Sequence, residues 1–118
     1  RDRLVIGRED CCLRTFRAAG RVGATRLYDL PIPYHVSFRR AMQTEEAAYP
    51  GVSTQDLPAD TFAADRVARK TAELAAASHV MVASDYVRRG LLEAGVPADR
   101  VTRIPYGCDA GRPYRPHA

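Results

Sequence analysis

The run His79–Ile104, HVMVASDYVRRGLLEAGVPADRVTRI, decides the fold. HVMVAS is the clearest strand of the chain, a short apolar run. Ser84 follows as a side chain that can cap a helix. In DYVRRGLLEAG, Val87, Leu91, Leu92 and Ala94 form an apolar face, and Gly95 ends the helix. VPADR is a turn, Val101–Ile104 is a second strand, and Pro105 closes it. Strand, helix and strand joined by short links make a βαβ unit, so the sheet is expected to be parallel.

Working outward, the same alternation continues upstream. Leu4–Gly7, LVIG, is a short apolar run of the kind buried in parallel sheets. In REDCCLRTFRAAG, Asp10 can cap a helix, Cys12, Phe16 and Ala19 share a face, and Gly20 is a terminator. Thr25–Tyr28 is a strand, closed by Pro31 and Pro33. HVSFRRAMQTEEAAYPG is a second helix with Phe38, Ala41, Met42 and Tyr49 as its apolar stripe. ADTFAADRVARKTAELAAAS is the longest helix, expected to pack through Ala64, Val67, Ala68, Thr71, Leu74 and Ala75. The fold class is therefore α/β, a partial Rossmann-like parallel sheet flanked by helices. Ligands of such sheets bind beyond the carboxyl ends of the strands. Those ends are Gly7–Glu9, Asp29–His35, Ser84–Asp85 and Tyr106–Asp109.

Composition narrows the classes. The chain has 118 residues, enough for one domain and one modest core, and 46% hydrophobic residues, an ordinary globular share. Its 18 Lys and Arg against 14 Asp and Glu give a net charge of +4, spread along the chain as a solvated basic surface. No basic stripe interleaved with aromatics points to nucleic acid. The three cysteines include an adjacent pair, Cys11 and Cys12, so no disulfide framework is suggested. His35, His79 and His117 have no metal-ligand spacing to the cysteines, and no metal is expected. No apolar run approaches the roughly 20 residues of a membrane span. No GxGxxG follows a strand, which disfavours a dinucleotide domain. A response-regulator-like domain is disfavoured because the only lysine, Lys70, sits in mid-helix.

One stretch carries a family resemblance. AAASHVMVASDYVRRGLLEAGVPADRVTRIPYGCD has a strand, Ser84 opening a helix, Gly95-Val96-Pro97, a strand, then Pro105-Tyr106-Gly107-Cys108-Asp109. In that order and spacing it resembles the end of the N-terminal domain of a two-domain retaining glycosyltransferase, the family-4 type with the GT-B fold. The match covers about a third of the chain. It departs at Tyr106, where the family often has Asn, and at Cys108, where it often has Val. The resemblance implies that residues 1–109 are the C-terminal part of a Rossmann-like N-terminal domain and that 110–118 begin an inter-domain linker. It further implies earlier strands before Arg1 and a missing C-terminal domain that binds the nucleotide sugar. The parent would be a hexosyltransferase, located in the cytoplasm or at the inner face of the membrane. Its partners would be a nucleotide-sugar donor and a sugar or lipid-linked acceptor, with no nucleic acid and no cofactor. This chain alone should be inactive. With part of the sheet missing, a sheet edge and a helix face are expected to be exposed.

Each candidate residue also has a structural reading. Gly107 suits a turn that needs positive φ or passes close to a ligand. Tyr106 and Asp109 would form the hinge, and Asp109 equally suits an Asx turn. Ser84 is an ordinary N-cap whose junction also aims N–H groups at a cleft. In YDLPIPYH the resemblance expects a polar residue, commonly His, facing the reacting sugar just after the strand. Asp29 sits at the strand end and His35 six residues later, and both remain candidates. Glu9 and Asp10 are expected to favour a helix N-terminus rather than do acid–base work. Arg88, Arg89, Glu45 and Glu46 are expected on solvated helix faces. The competing functions are another GT-B-fold enzyme, such as a nucleotide-sugar epimerase, and a non-catalytic Rossmann-like binding domain.

Overall fold

The computed structural model describes residues 3–52 and 57–107. The order is β1 (Leu4–Arg8), α1 (Leu13–Arg21), β2 (Thr25–Leu30), α2 (His35–Ala48), α3 (Ala64–Ala76), β3 (His79–Val82), α4 (Asp85–Glu93), a 3-10 turn (Ala98–Arg100) and β4 (Val101–Arg103). The four strands form one sheet in the order β1-β2-β3-β4, and every neighbouring pair is parallel. This is the α/β sheet flanked by helices that the sequence predicts. Cys108 and Asp109, with the expected linker, lie outside the described residues.

Strand alternation sorts the sheet into two faces. Tyr28, Leu30, Val80, Val82 and Val101 point to one side and are buried. Phe16 of α1, Leu74 of α3 and Val87 and Leu91 of α4 meet them in a single cluster. Phe16 meets Tyr28 edge to face, with centroids 6.2 Å apart. The three helices therefore cover the same face. The other face carries Leu4 and Ile6, both exposed, beside half-buried Leu27 and Met81. His79 and Thr102 lie 2.7 Å apart there, across neighbouring strands.

Gly7 shows why the apolar run of β1 closes on a glycine. A Cβ at this position would overlap the Cys12 Cβ and lie 2.6 Å from the Phe16 ring, so only glycine admits α1 so close to the strand. Helix α1 does not stop at Gly20. It continues to Arg21, and Gly23, at φ 68°, makes the left-handed turn into β2.

Two helix faces differ from the sequence expectation. In α2 no residue is buried, so the Phe38, Ala41, Met42 and Tyr49 stripe does not reach the core. Phe38 instead meets Phe62 on the outside of the fold, with centroids 5.6 Å apart. In α3 the buried residues are Lys70, Glu73 and Leu74, while Ala64, Ala68, Thr71 and Ala75 are exposed. The alanine side faces out because the opposite side finds charged partners inside.

Candidate functional site

The carboxyl ends of β1 and β2 hold a closed set of charged side chains. Helix α1 starts at Leu13 with no side-chain cap from its own Cys12. Glu73 of α3 supplies the cap from across the fold. Its Oε1 accepts from the Cys12 N–H at 2.8 Å and the Leu13 N–H at 3.1 Å, and its Oε2 accepts from the Asp10 N–H at 2.7 Å. The Tyr28 hydroxyl donates to the same Oε2 at 3.3 Å. The first N–H groups of a helix have no partners within it, and the helix dipole favours a negative charge there. Glu73, fully buried, meets both demands.

Glu9 and Asp10 do not cap α1 themselves. Asp10 takes φ 71°, uncommon for a residue with a side chain. Its carboxylate is clamped by Arg66 at 2.7 Å and by Arg69 at 2.5 Å. Glu9 turns inward, where its Oε1 lies 3.2 Å from the Lys70 ammonium. That contact is an ion pair rather than an aligned hydrogen bond. The spacing Arg66, Arg69, Lys70, Glu73 puts all four on one side of α3, facing the β1–α1 turn.

Burial sets the titration behaviour. It raises the Glu9 carboxyl, against the opposing pull of Lys70. Burial also raises Asp10, but Arg69 and Arg66 outweigh it and hold the carboxyl below its ordinary value. The Cys12 thiol is pushed up to about 12, first by burial and then by Glu73. The Tyr28 phenol is raised for the same reasons, with Glu9 contributing. Cys12 is thus an inert buried thiol, and Tyr28 stays a hydrogen-bond donor.

The sequence-predicted residues distribute unevenly around this set. His35 opens α2 and lies against α3 outside this set. Its ring meets Tyr34 at a tilt, with centroids 4.2 Å apart and 53° between the planes, and its Nε2 lies 3.3 Å from the Thr71 hydroxyl. Burial, then the charges of Lys70 and Arg39, lower its pKa and favour the neutral ring. Asp29 is not the last residue of β2, which runs to Leu30. It pairs in register with Arg8 and Met81, on the sheet face opposite Tyr28 and Leu30. Ser84 behaves as an N-cap: its hydroxyl accepts from the Val87 N–H at 3.3 Å. Gly107 is exposed and has no positive φ, and among the described residues a Cβ there would meet nothing within 4 Å. Tyr106 is 76% exposed. Arg89 and Glu45 are exposed as expected, and Arg88 and Glu46 are partly covered.

Lys70, Glu73, Arg66 and Arg69 were not singled out as site residues by the sequence reading. Their signal is charge at helical spacing together with the acidic pair Glu9-Asp10 upstream. Hydrophobic periodicity does not register that pattern. Ligand crevices in open α/β sheets form where strand order reverses. Among the described residues the order runs one way, from β1 to β4, with no such reversal. The described helices include none long and apolar enough to cross a membrane. No family model, curated protein or solved structure matches this chain.

Proposed function

We propose that this chain forms the acceptor side and hinge of a retaining GT-B glycosyltransferase, a hexosyltransferase whose donor domain lies elsewhere in the protein. The observation that carries the reading is the unit from β3 to Gly107. A strand, a helix capped by Ser84, a turn at Gly95 with φ 89°, a strand and then Pro105–Gly107 follow in the order the resemblance expects. His35 is the better substrate-facing candidate. It sits beyond the carboxyl end of β2, and its neutral ring can both donate to and accept from a sugar hydroxyl. Asp29 lies on the opposite sheet face. Catalysis would come from positioning and charge stabilisation, supplied largely by the donor domain.

A non-catalytic binding domain is the second reading, favoured by one observation. Glu73 occupies the α1 N-terminus, where many sheets of this class hold a phosphate. The test is the full-length protein incubated with nucleotide-sugar donors and simple sugar acceptors, reading diphosphonucleoside release and product anomer by NMR. Transfer with retention supports the proposal. Interconversion of the donor without an acceptor would show an epimerase. Donor left intact across the panel would leave the binding-domain reading.

A further inference from the structure

We propose that the cleft between α2 and α4 binds a neutral polyhydroxylated ligand, a mono- or disaccharide. The cleft has a volume of about 470 Å³, within the range of small-molecule sites. Both helices begin at the carboxyl edge of the sheet, α2 just after β2 and α4 just after β3. Ser37 and Gly90 set its width. A Cβ on Gly90 would overlap the Ser37 hydroxyl, so the helices touch at this point.

Its lining selects the ligand class. Arg40 and Arg89 face Glu45 and Glu93, so the site carries no net charge. An anion would meet two carboxylates and a cation two guanidiniums. Arg40 pairs with Glu93 at 3.3 Å, an exposed and weak bridge that a ligand can open. Among the described residues, the Arg89 and Glu45 side chains have no ion-pair or hydrogen-bond partner. Planar guanidinium and carboxylate groups offer paired donors and paired acceptors, which match the vicinal hydroxyls of a sugar. Tyr86, half exposed, adds an aromatic face and a hydroxyl to the lining. An apolar ligand would leave these polar groups desolvated and unpaired.

The ligand's role as acceptor rests on the glycosyltransferase reading, whereas its chemistry rests on the cleft alone. The experiment is saturation-transfer NMR on the full chain, with maltose and methyl α-mannoside as probes and inorganic phosphate as competitor. Saturation should pass to the sugar protons and persist in excess phosphate. Tyr86→Ala and Arg89→Ala should each weaken binding about tenfold. Tyr49→Ala, which removes another exposed tyrosine at the far end of α2, should leave it unchanged. No transfer to either sugar, displacement by phosphate, or full binding in both cleft variants overturns the proposal. The two readings fail separately. If the full-length protein transfers sugar and Tyr86→Ala leaves the acceptor KM unchanged, the cleft proposal falls and the enzyme stands. If sugars bind through Tyr86 but no donor is consumed, the enzyme falls and the cleft stands.

Discussion

Two parts of this molecule use the same kinds of charge to opposite ends. At the β1–α1 junction, Glu9, Asp10, Arg66, Arg69, Lys70 and Glu73 are bonded to one another or to backbone N–H groups. Along the α2–α4 flank, Arg40 and Glu93 make an exposed bridge, and Arg89 and Glu45 stay uncommitted. A buried charge must be paired, so the junction satisfies its groups internally. An exposed charge is already solvated and can exchange water for a ligand. The comparison teaches that the most charged corner of the fold is structural. The exposed charges of the flank are the ones not tied up by buried partners.

The largest effect should come from Glu73→Ala. It would leave the Asp10, Cys12 and Leu13 N–H groups and the Tyr28 hydroxyl without their acceptor, the Cys12 and Tyr28 bonds being buried and the other two partly so. Each unsatisfied buried group costs on the order of 1–3 kcal/mol, with partial relief by relaxation. The expected loss is about 3–5 kcal/mol, enough to unfold a small domain. Urea unfolding followed by circular dichroism measures it. A loss below about 1 kcal/mol would mean that water replaces the carboxylate and that the junction resembles the flank after all.

Lys70→Met should cost less, about 2–3 kcal/mol at neutral pH, since Glu9 can shed its charge by taking up a proton. Adding Glu9→Gln should recover most of that loss, because removing both charges removes the imbalance. A double-mutant cycle in urea reads the coupling. Additive effects would show that the 3.2 Å contact carries no coupling. The corresponding cycle at Arg40 and Glu93 should give about 0.5 kcal/mol or less, as exposed pairs do.

How much of this was legible in the sequence follows from what each face is made of. The four strands, the Cys12–Phe16–Ala19 face and the Ser84 cap came through, because apolar periodicity and local capping signal them directly. The buried face of α3 came through only at Leu74. Its other inward residues are Lys70 and Glu73, and a hydrophobic pattern selects Ala64, Ala68 and Ala75 instead, which are exposed. Asp10 was misjudged for a related reason. An acid before a helix suggests a cap, but the capping carboxylate arrives from a residue 60 or more positions away. Helix α2 has an apolar stripe in sequence, yet no layer of the described fold covers it. Of the residues weighed from the sequence, Glu9 and Asp10 belong to the charged set in roles other than the expected cap, and His35 lies against α3 at Thr71.

His35 also joins the two regions, because it opens α2 while its ring contacts Thr71 of α3 and Tyr34. It should give the smallest effect, visible as a slope with pH. In the unfolded chain the imidazole titrates near 6.5, whereas in the fold burial and then Lys70 and Arg39 lower its pKa. As pH falls through 6.5 the unfolded state takes up the proton first. Stability from this group is therefore complete above 6.5 and is lost between 6.5 and the lower folded value. Glu9, raised in the fold, tilts the other way at more acid pH, so wild type alone would mix the two. The informative quantity is the difference in urea midpoint between wild type and His35→Gln across that window. It should shrink as pH falls, since only wild type carries the imidazole. A constant difference would mean that the ring is solvated like the α2 flank. His35 would then belong with the uncommitted polar groups rather than with the buried set on α3.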